Sequence, residues 1–203
     1  MTRLLIARHG NTFDKGDVLL RVGKHTDLPL SVSGKEQALK LGEFFKNNDI
    51  HVDKAYSSNL QRTVQTAQIA LETCGDAIDV IPLSMFDEID YGPDEGKAED
   101  EVVARLGEGA LKLWDSKAIP PNGWNVDVEQ IKRDWQDFAK GVKDSGETIL
   151  VVTSNGIARF APYILIDHDE FIANNKIKLS TGAISCIEYE NGRWVAKYWN
   201  VKP

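Results

Sequence analysis

The chain has 203 residues, of which 42% are hydrophobic and 27% charged, as expected for a soluble globular protein with a sizeable core. Its net charge of −7 argues against nucleic acid as the main partner, because a phosphate backbone requires a basic surface, but it leaves room for a small anion in a locally basic pocket. Its only cysteines, Cys74 and Cys186, exclude a disulfide framework and a Cys-x-x-Cys metal or redox site.

The chain opens with a short apolar run, Leu4–Ala7, that ends at Arg8. This run is too short for a signal peptide, and no segment reaches the apolar length of a membrane span. We therefore expect a single domain over residues 1–203, in the reducing cytoplasm and without a membrane partner. The run itself predicts a strand buried on both faces, as in a parallel sheet.

Two amphipathic helices are predicted in the first half of the chain. After a polar loop from Asn11 to Pro29, Ser33 and Glu36 form a capping-box pattern that begins the first helix. The second helix follows a short strand over Lys54–Ser57 and ends at Gly75, a residue type common just after helices. The apolar residues at helical spacing are Ala38, Leu41 and Phe45 in the first helix and Leu60, Val64, Ala67 and Leu71 in the second.

The middle of the chain continues this alternation. Residues 78–82 predict a third strand, and a loop rich in turn residues and carboxylates follows it. Two further helices are predicted, from Asp100 to about Lys117 and from Asp127 to about Val142, with a surface loop over residues 118–125 between them.

The C-terminal part begins with the most apolar strand, which ends at Ser154-Asn155-Gly156, and a helix is predicted from Ile157 to Ile166. Residues 182–189 and 193–201 alternate like strands and are joined through Asn191-Gly192, a strong hairpin signal. This hairpin is compatible with pairing in a homodimer but does not require it. The alternation of elements predicts an α/β fold, a three-layer α/β/α sandwich with a mainly parallel sheet.

Polar side chains are predicted to meet where ligands bind in such folds, beyond the carboxyl ends of the strands. Arg8 and His9 end the first strand, and Asn155 ends the most apolar one. Arg62 lies in the first turn of the second helix, and Glu88 lies in the loop after the third strand.

Each of these residues also has a simpler interpretation when it is taken alone. His9 could be an ordinary turn residue, and Arg62 a solvated helix charge. Glu88 could belong to a solubilising acidic loop, and Asn155-Gly156 could be a turn that needs left-handed backbone angles. The other members of that acidic loop are Asp87, Asp90, Asp94 and Glu95.

Taken together, the same side chains suit phosphoryl transfer. The guanidinium groups of Arg8 and Arg62 can grip a phosphoryl group in bidentate fashion. Neutral His9 is a competent nucleophile near neutral pH, and a protonated Glu88 could donate to the leaving oxygen. We expect no metal and no cofactor, because arginines and backbone N–H groups can neutralise the phosphoryl oxygens.

Five segments, in order, resemble the histidine phosphatase superfamily, the phosphoglycerate-mutase-like proteins. They are LLIARHGNT, RVGKHTDLPLSVSGKEQALKLG, AYSSNLQRTVQTA, DEIDYGPDEG and VVTSNGIARF. Arg-His-Gly alone is a weak signal, and the longer second and third segments make the resemblance specific. It covers most of the chain and implies a phosphoglycerate-mutase-like fold.

The resemblance also implies roles for individual residues. His9 is the residue that becomes phosphorylated, Arg8 and Arg62 hold the phosphoryl oxygens, and Glu88 is the general acid/base. Two further positions match the family: Thr12, a hydroxyl residue that helps to position the first loop, and Gly23, where the backbone approaches the substrate.

One position departs from the family pattern. Where the family usually has Ser-His-Gly, this chain has Ser154-Asn155-Gly156. Asn155 can still donate a hydrogen bond through its NH₂ group, but it cannot carry positive charge. Loss of one charged donor from a preorganised anion site typically costs about 3–4 kcal/mol, or roughly 10²–10³ in rate. The sequence therefore predicts weakened phosphoryl transfer at a preserved pocket, to which Asn155 still contributes.

The favoured function is a metal-independent phosphomonoester phosphatase of reduced activity that acts on a phosphorylated small molecule or a phosphoprotein. The alternative is a non-catalytic protein that binds a phosphorylated ligand. A phosphoglycerate mutase fits less well, because the basic residues that recognise a carboxylate have no clear counterparts beyond Lys97 and Arg105. His25 could overhang the pocket, and the Trp124 loop could form part of a lid.

Overall fold

The apolar run near the amino terminus forms the centre of the sheet. In the computed structural model, which describes residues 1–203, six strands assemble in the order β3-β2-β4-β1-β5-β6. The first four strands along the chain are mutually parallel, and the C-terminal hairpin adds two antiparallel strands beside β1. The strands are β1 (Thr2–Arg8), β2 (Lys54–Ser57), β3 (Val80–Pro82), β4 (Thr148–Thr153), β5 (Ile184–Glu190) and β6 (Arg193–Val201).

Helices cover both faces of this sheet, which confirms the predicted three-layer architecture. Side chains alternate along β1, so that Leu4 and Ile6 enter one core while Leu5 and Ala7 enter the other. Both cores are needed because the central strands are apolar on each face. The helices are α1 (Val32–Asn47), α2 (Gln61–Cys74), α3 (Glu99–Lys117), α4 (Val128–Val142), α5 (Asn155–Ala158) and α6 (His168–Asn174).

The first two helices lie on one face, where the predicted apolar residues of α1 and Ala67 and Leu71 of α2 are buried, whereas Val64 is only half-buried. Ala38, Leu41 and Phe45 of α1 are fully buried, as expected from their spacing. The helix begins earlier than predicted, however, because Ser31 and not Ser33 caps it, accepting from the N–H of Gly34 at 3.2 Å. The expected capping box is therefore wrong, although the helix itself is confirmed.

The helix predicted from Ile157 to Ile166 is also wrong. The segment splits into α5, which ends at Ala158, and a separate 3-10 turn over Ala161–Ile164. Pro162 lies in this turn, and a proline inside an α-helix removes one hydrogen bond and clashes with the preceding turn. None of the helices is long and apolar enough to cross a bilayer.

The topology brings two strand ends together. In the register of β1 against β4, Arg8 lies opposite Thr153, so His9 and Ser154-Asn155 emerge side by side at the carboxyl edge. The loop after β3 reaches the same edge, since the side chain of Thr153 donates to the carbonyl oxygen of Phe86 at 2.7 Å. The fold thus places Glu88 near both strand ends.

Candidate active site

A cavity of about 570 Å³ opens at this carboxyl edge. Five of the predicted residues line it: Arg8, His9, Thr12, Glu88 and Asn155. The other two predicted residues, Arg62 and Gly23, are not part of the lining and lie behind the wall next to His9. Most of the expected set therefore converges around one cavity.

His9 lines the cavity although its residue surface is only 7% exposed. Its Nδ1 lies 2.7 Å from the carbonyl oxygen of Gly10, and because a carbonyl can only accept, Nδ1 carries the proton. Burial, reinforced by the nearby charges of Arg62 and Arg8, lowers the pKa of His9 well below 6.5. The ring is therefore neutral at neutral pH, with the lone pair left on Nε2.

We expect His9 to remain neutral at pH 6, where an unperturbed imidazole with a pKa near 6.5 would be mostly protonated. Because the folded pKa is the lower one, the unfolded chain binds more protons below pH 6.5. The contribution of His9 to the free energy of unfolding is therefore lost as the pH falls through this range. NMR of the ring nitrogens, assigned with His9→Gln, measures this directly, and titration of His9 near pH 6.5 would contradict the expectation.

Arg8 presents a guanidinium group to the cavity from the end of β1. Its Nη1 donates to the carbonyl oxygen of Leu179 at 2.7 Å, whereas its buried Nε has no hydrogen-bond partner. Burial lowers the pKa of Arg8, and the nearby carboxylate of Glu88 acts in the opposite direction. A buried cation with an unpartnered N–H donor destabilises the folded state, and an anionic ligand that accepts from this donor would remove that penalty.

Arg62 is fully buried, so its interpretation as a solvated helix charge is wrong. Its Nη1 and Nη2 donate to the carbonyl oxygens of Thr26 and Gly23 at 2.9 and 3.2 Å, and its Nε has no partner. The loop before α1 thus fixes the Arg62 guanidinium group. The group lies near enough to His9 to affect its charge, and its Nε is left without a hydrogen-bond partner.

Glu88 is held by three donors from its own loop and from α5. Oε1 accepts from the N–H of Ile89 at 2.9 Å, and Oε2 lies 3.4 Å from the hydroxyl of Tyr91 and 3.3 Å from the N–H of Gly156. A Cβ at Gly156 would lie 2.1 Å from Oε1, so glycine is needed here for close approach. Gly156 is helical, so the simpler interpretation of Asn155-Gly156 as a left-handed turn is wrong.

Asn155 begins α5 and faces the cavity with one side of its amide already used. Its Oδ1 accepts from the N–H of Leu179 at 2.9 Å, which assigns the oxygen because a backbone N–H can only donate. The NH₂ group therefore occupies the other side. Leu179 joins the two strand ends, because its carbonyl oxygen accepts from Arg8 while its N–H donates to Asn155.

Glu95 connects the loop behind Arg62 with the loop that carries Glu88. Its Oε1 accepts from the N–H groups of Gly23 and His25 and from the hydroxyl of Thr26, at 3.0, 3.1 and 2.7 Å. Its Oε2 accepts from the N–H of Tyr91 at 3.3 Å. A Cβ at Gly23 would lie 2.1 Å from Oε2, which explains the glycine. Glu95 is therefore a positioning residue, and sequence reasoning missed this role.

Glu95→Gln is expected to lower kcat by up to about 10²-fold, because an amide NH₂ would face the Tyr91 N–H and shift the loops that hold Arg62 and Glu88. Phosphatase kinetics with an aryl phosphate measure the effect. A purely structural role would lower thermal stability and leave kcat of the folded fraction unchanged. The matched control is Glu101→Gln, on the exposed first turn of α3.

The remaining carboxylates of this loop are not a solubilising cluster, which corrects the simpler interpretation. Asp87 accepts from the side chain and N–H of Asn59, and Asp90 accepts from the side chain of Asn125 at 2.8 Å. The most buried one is Asp94, whose surface is 1% exposed and whose carboxylate binds the side chains of Arg105 and Trp124.

Two suggested peripheral residues lie away from the cavity. Trp124 is buried against Tyr91 and Trp114, and so belongs to the core and not to a lid. The His25 side chain is 64% exposed, 3.6 Å from Asp90, and does not line the cavity. Arg105, one of the two candidate carboxylate-binding residues, forms an ion pair with Asp94.

Several lining residues were not singled out from sequence. Arg21 pairs with Glu99 and lies over the ring of Tyr91 at 5.3 Å, and Lys178 pairs with Asp115 at 2.6 Å. Arg21 precedes Gly23 by two residues and Tyr91 follows Glu88 by three, so both lie inside segments that the resemblance covers. Lys178 lies in no motif, and only the fold brings it here.

The structure has no cluster of three or more His, Cys, Asp or Glu side chains that could hold a metal ion.

Comparison with known sequences connects this geometry to a family. The sequence model of the histidine phosphatase superfamily (branch 1) matches residues 4–202. The chain is similar to a 2,3-bisphosphoglycerate-dependent phosphoglycerate mutase of Bacteroides fragilis, with 32% identity over 166 residues, 80% of this chain and 65% of the relative. It is also similar to a fructose-2,6-bisphosphatase of Danio rerio, with 33% identity over 141 residues, 68% of this chain and 52% of the relative. The chain thus spans about half to two thirds of the length of these curated relatives.

Solved structures share the fold from end to end. A phosphoglycerate mutase from Bacillus anthracis has a TM-score of 0.80 at 23% identity, covering 98% of this chain and 92% of that one. A mycobacterial glucosyl-3-phosphoglycerate phosphatase in complex with VO3 has a TM-score of 0.79 at 22% identity, covering 98% of both chains. The strand-end cavity and the match over nearly the whole sequence lead to one conclusion: the chain belongs to the histidine phosphatase superfamily, branch 1.

Proposed function

We propose that the chain is a phosphomonoester phosphatase that acts through a phospho-His9 intermediate. The observation that carries the proposal is a neutral His9 with a free Nε2, in the same cavity as the Arg8 cation and the Glu88 carboxyl group. The family, and relatives named as phosphatases and mutases, support phosphoryl transfer as the type of reaction.

In the first step, Nε2 of His9 attacks phosphorus while the bond from phosphorus to the ester oxygen breaks. Glu88, protonated at this point, gives its proton to the leaving oxygen, so that an alcohol departs. In the second step, water attacks the phosphohistidine, Glu88 accepts the water proton, and the N–P bond breaks to release inorganic phosphate. Each step leaves the proton count balanced, and Glu88 returns to its starting state.

The arginines supply the charge that the phosphoryl oxygens need, so the proposed reaction requires no metal and no cofactor. Arg8 meets the oxygens from the cavity wall, and Arg62 acts from behind His9 with its unpartnered Nε. Thr12 lines the cavity and orients the first loop. Gly23 contributes through its carbonyl oxygen, which holds Arg62 in place.

Asn155 is proposed to weaken this reaction. Its NH₂ group can donate to a phosphoryl oxygen, but as a neutral amide it adds no charge to the two arginines. The same substitution favours the second candidate, a protein that binds a phosphorylated ligand without turning it over. Both functions use the same cavity and differ only in whether His9 becomes phosphorylated.

The proposed substrate is a phosphorylated small molecule, with a phosphoprotein as the alternative. A phosphatase is favoured over a mutase because Lys97 and Arg105, the candidate carboxylate-binding residues, do not line the cavity. We further propose that residues 1–203 form one domain and that the protein is cytoplasmic, consistent with the two free thiols. The free edge at β6 could pair in a homodimer.

Incubation with a labelled aryl phosphate followed by quenching without acid tests the proposal. A phosphatase should release phosphate and retain label on His9. A binding protein should instead show calorimetric affinity for inorganic phosphate, lost in Arg8→Ala, with no label. Binding that survives in the double variant Arg8→Ala/Arg62→Ala would place the ligand elsewhere and contradict both functions.

A further inference from the structure

A second cavity, of about 490 Å³, lies between the end of α4, the segment around the 3-10 turn and the turn of the C-terminal hairpin. We call it the hairpin groove. Tyr189 in its wall pairs with Thr2 at the start of β1, whereas His9 follows the end of that strand. At about 3.3 Å per strand residue, the groove lies roughly 20 Å from His9 along the sheet, and no residue lines both cavities.

The hairpin groove is basic although the chain is acidic. Among its lining residues there is no Asp or Glu, while the chain has 31 acidic residues against 24 Lys and Arg. Lys140, Lys143 and Arg193 line it. Lys140 and Arg193 have no carboxylate partner within 4.0 Å, and Lys143 has only the exposed Asp144 at 4.0 Å. These charges are therefore available to a ligand.

The end of a helix explains only part of this charge. Lys140 and Lys143 lie near the C-terminus of α4, where cations are favourable even without a ligand. Arg193, however, begins β6 on a different element, directly after the turn at Asn191-Gly192. The presence of the Arg193 charge in this groove therefore has no such local explanation.

Aromatic rings lie beside these cations in the same groove. Tyr189 and Trp194 pack with ring centroids 5.2 Å apart, and Tyr163 lines the same groove with the Lys132 ammonium group already 4.4 Å from its ring centroid. The ammonium group of Lys143 lies 5.9 Å from the Tyr189 ring centroid. At the rim, Ile166 is 75% exposed. A ligand with a flat apolar ring and an anionic group can contact both the aromatic rings and the basic side chains of this groove.

We propose that the hairpin groove binds a nucleotide. The base packs against the half-buried ring of Tyr189, beside Trp194, and the phosphates pair with Lys140, Lys143 and Arg193. The volume is within the range of small-molecule sites, and aromatic rings with a few placed charges are their usual lining. This site is separate from the phosphoryl-transfer site and does not depend on the function proposed for it.

Calorimetric titration with ADP at fixed ionic strength tests the proposal. ADP should bind, and the double variant Lys140→Ala/Arg193→Ala should raise its Kd at least tenfold. Arg8→Ala, which changes the other cavity, should leave the Kd within twofold. The matched charge control is Lys35→Ala/Lys46→Ala on the exposed side of α1, which should also leave it within twofold.

Three results would overturn the proposal. They are the absence of ADP binding at millimolar concentration, loss of binding in Arg8→Ala with retention in Lys140→Ala/Arg193→Ala, and equal weakening in Lys35→Ala/Lys46→Ala, which would indicate a general charge effect. Tighter binding of pyrophosphate than of ADP would also count against it, because the base would then contribute nothing. A thermal unfolding midpoint equal to that of wild type shows that Lys140→Ala/Arg193→Ala is folded.

Discussion

His9→Ala is expected to lower kcat for aryl phosphate hydrolysis by about 10⁴–10⁶-fold, the range seen when a covalent nucleophile is removed. The physical reason is that no other neutral nitrogen with a free lone pair lines the cavity. Because the wild-type rate is expected to be low, the comparison is also made in the Asn155→His background, where a larger fall can be measured. Phosphohistidine should disappear together with turnover.

His51→Ala is the matched control, since the His51 side chain is 84% exposed and far from the cavity lining. It should leave both turnover and labelling unchanged. A His9→Ala protein that keeps its rate within tenfold, or that is labelled on another residue, would exclude His9 as the nucleophile. Binding of inorganic phosphate to His9→Ala, measured separately, shows whether the cavity itself survives the change.

Asn155→His is expected to raise kcat by roughly 10²–10³-fold, the effect typical of one charged donor in a preorganised anion site. The protonated imidazole carries the positive charge that Asn155 lacks, and in that form the Leu179 N–H loses the acceptor that Oδ1 provides at 2.9 Å. Nε2–H is then left to donate into the cavity that Asn155 lines. Steady-state kinetics with an aryl phosphate measure the gain, and thermal unfolding shows that the fold is kept.

Asn155→Asp is the matched control for this experiment. It keeps an acceptor for the Leu179 N–H and replaces the NH₂ group with an oxygen, so it should repel a phosphoryl group and lower the rate. If Asn155→His folds and gains nothing, the cavity is not arranged for phosphoryl transfer, and the non-catalytic binding function is favoured. A gain in both variants would mean that charge at this position is not the cause.

Part of this site could be predicted from sequence because its chemistry is carried by short, ordered segments. Arg8 and His9 directly follow a buried strand, and the carboxyl ends of parallel strands meet at one edge, so their convergence with Asn155 follows from topology. Glu88 was placed by its spacing within a segment of the family pattern. These inferences needed residue types and order, and no side-chain geometry.

The burial of Arg62 and the roles of Gly156 and Glu95 could not be predicted in this way. An isolated arginine in a first helical turn is usually solvated, and only packing shows that Arg62 is fully buried. The glycine at position 156 suggested a left-handed turn, whereas it makes room for the Glu88 carboxylate. Glu95 belonged to an apparent acidic cluster until its hydrogen bonds to two loops were known.

By itself, the sequence determined the layer architecture, the family and the edge of the sheet where the cavity opens, because apolar periodicity and motif order are local properties of the chain. It also led to the prediction that activity depends on Asn155. Only the tertiary structure decided the proton position on His9, the burial of Arg62 and the existence of the hairpin groove. These depend on residues far apart in sequence that the fold brings together, such as Leu179 bonded to Asn155, and Arg193 in the same cavity as the end of α4, which no local pattern encodes.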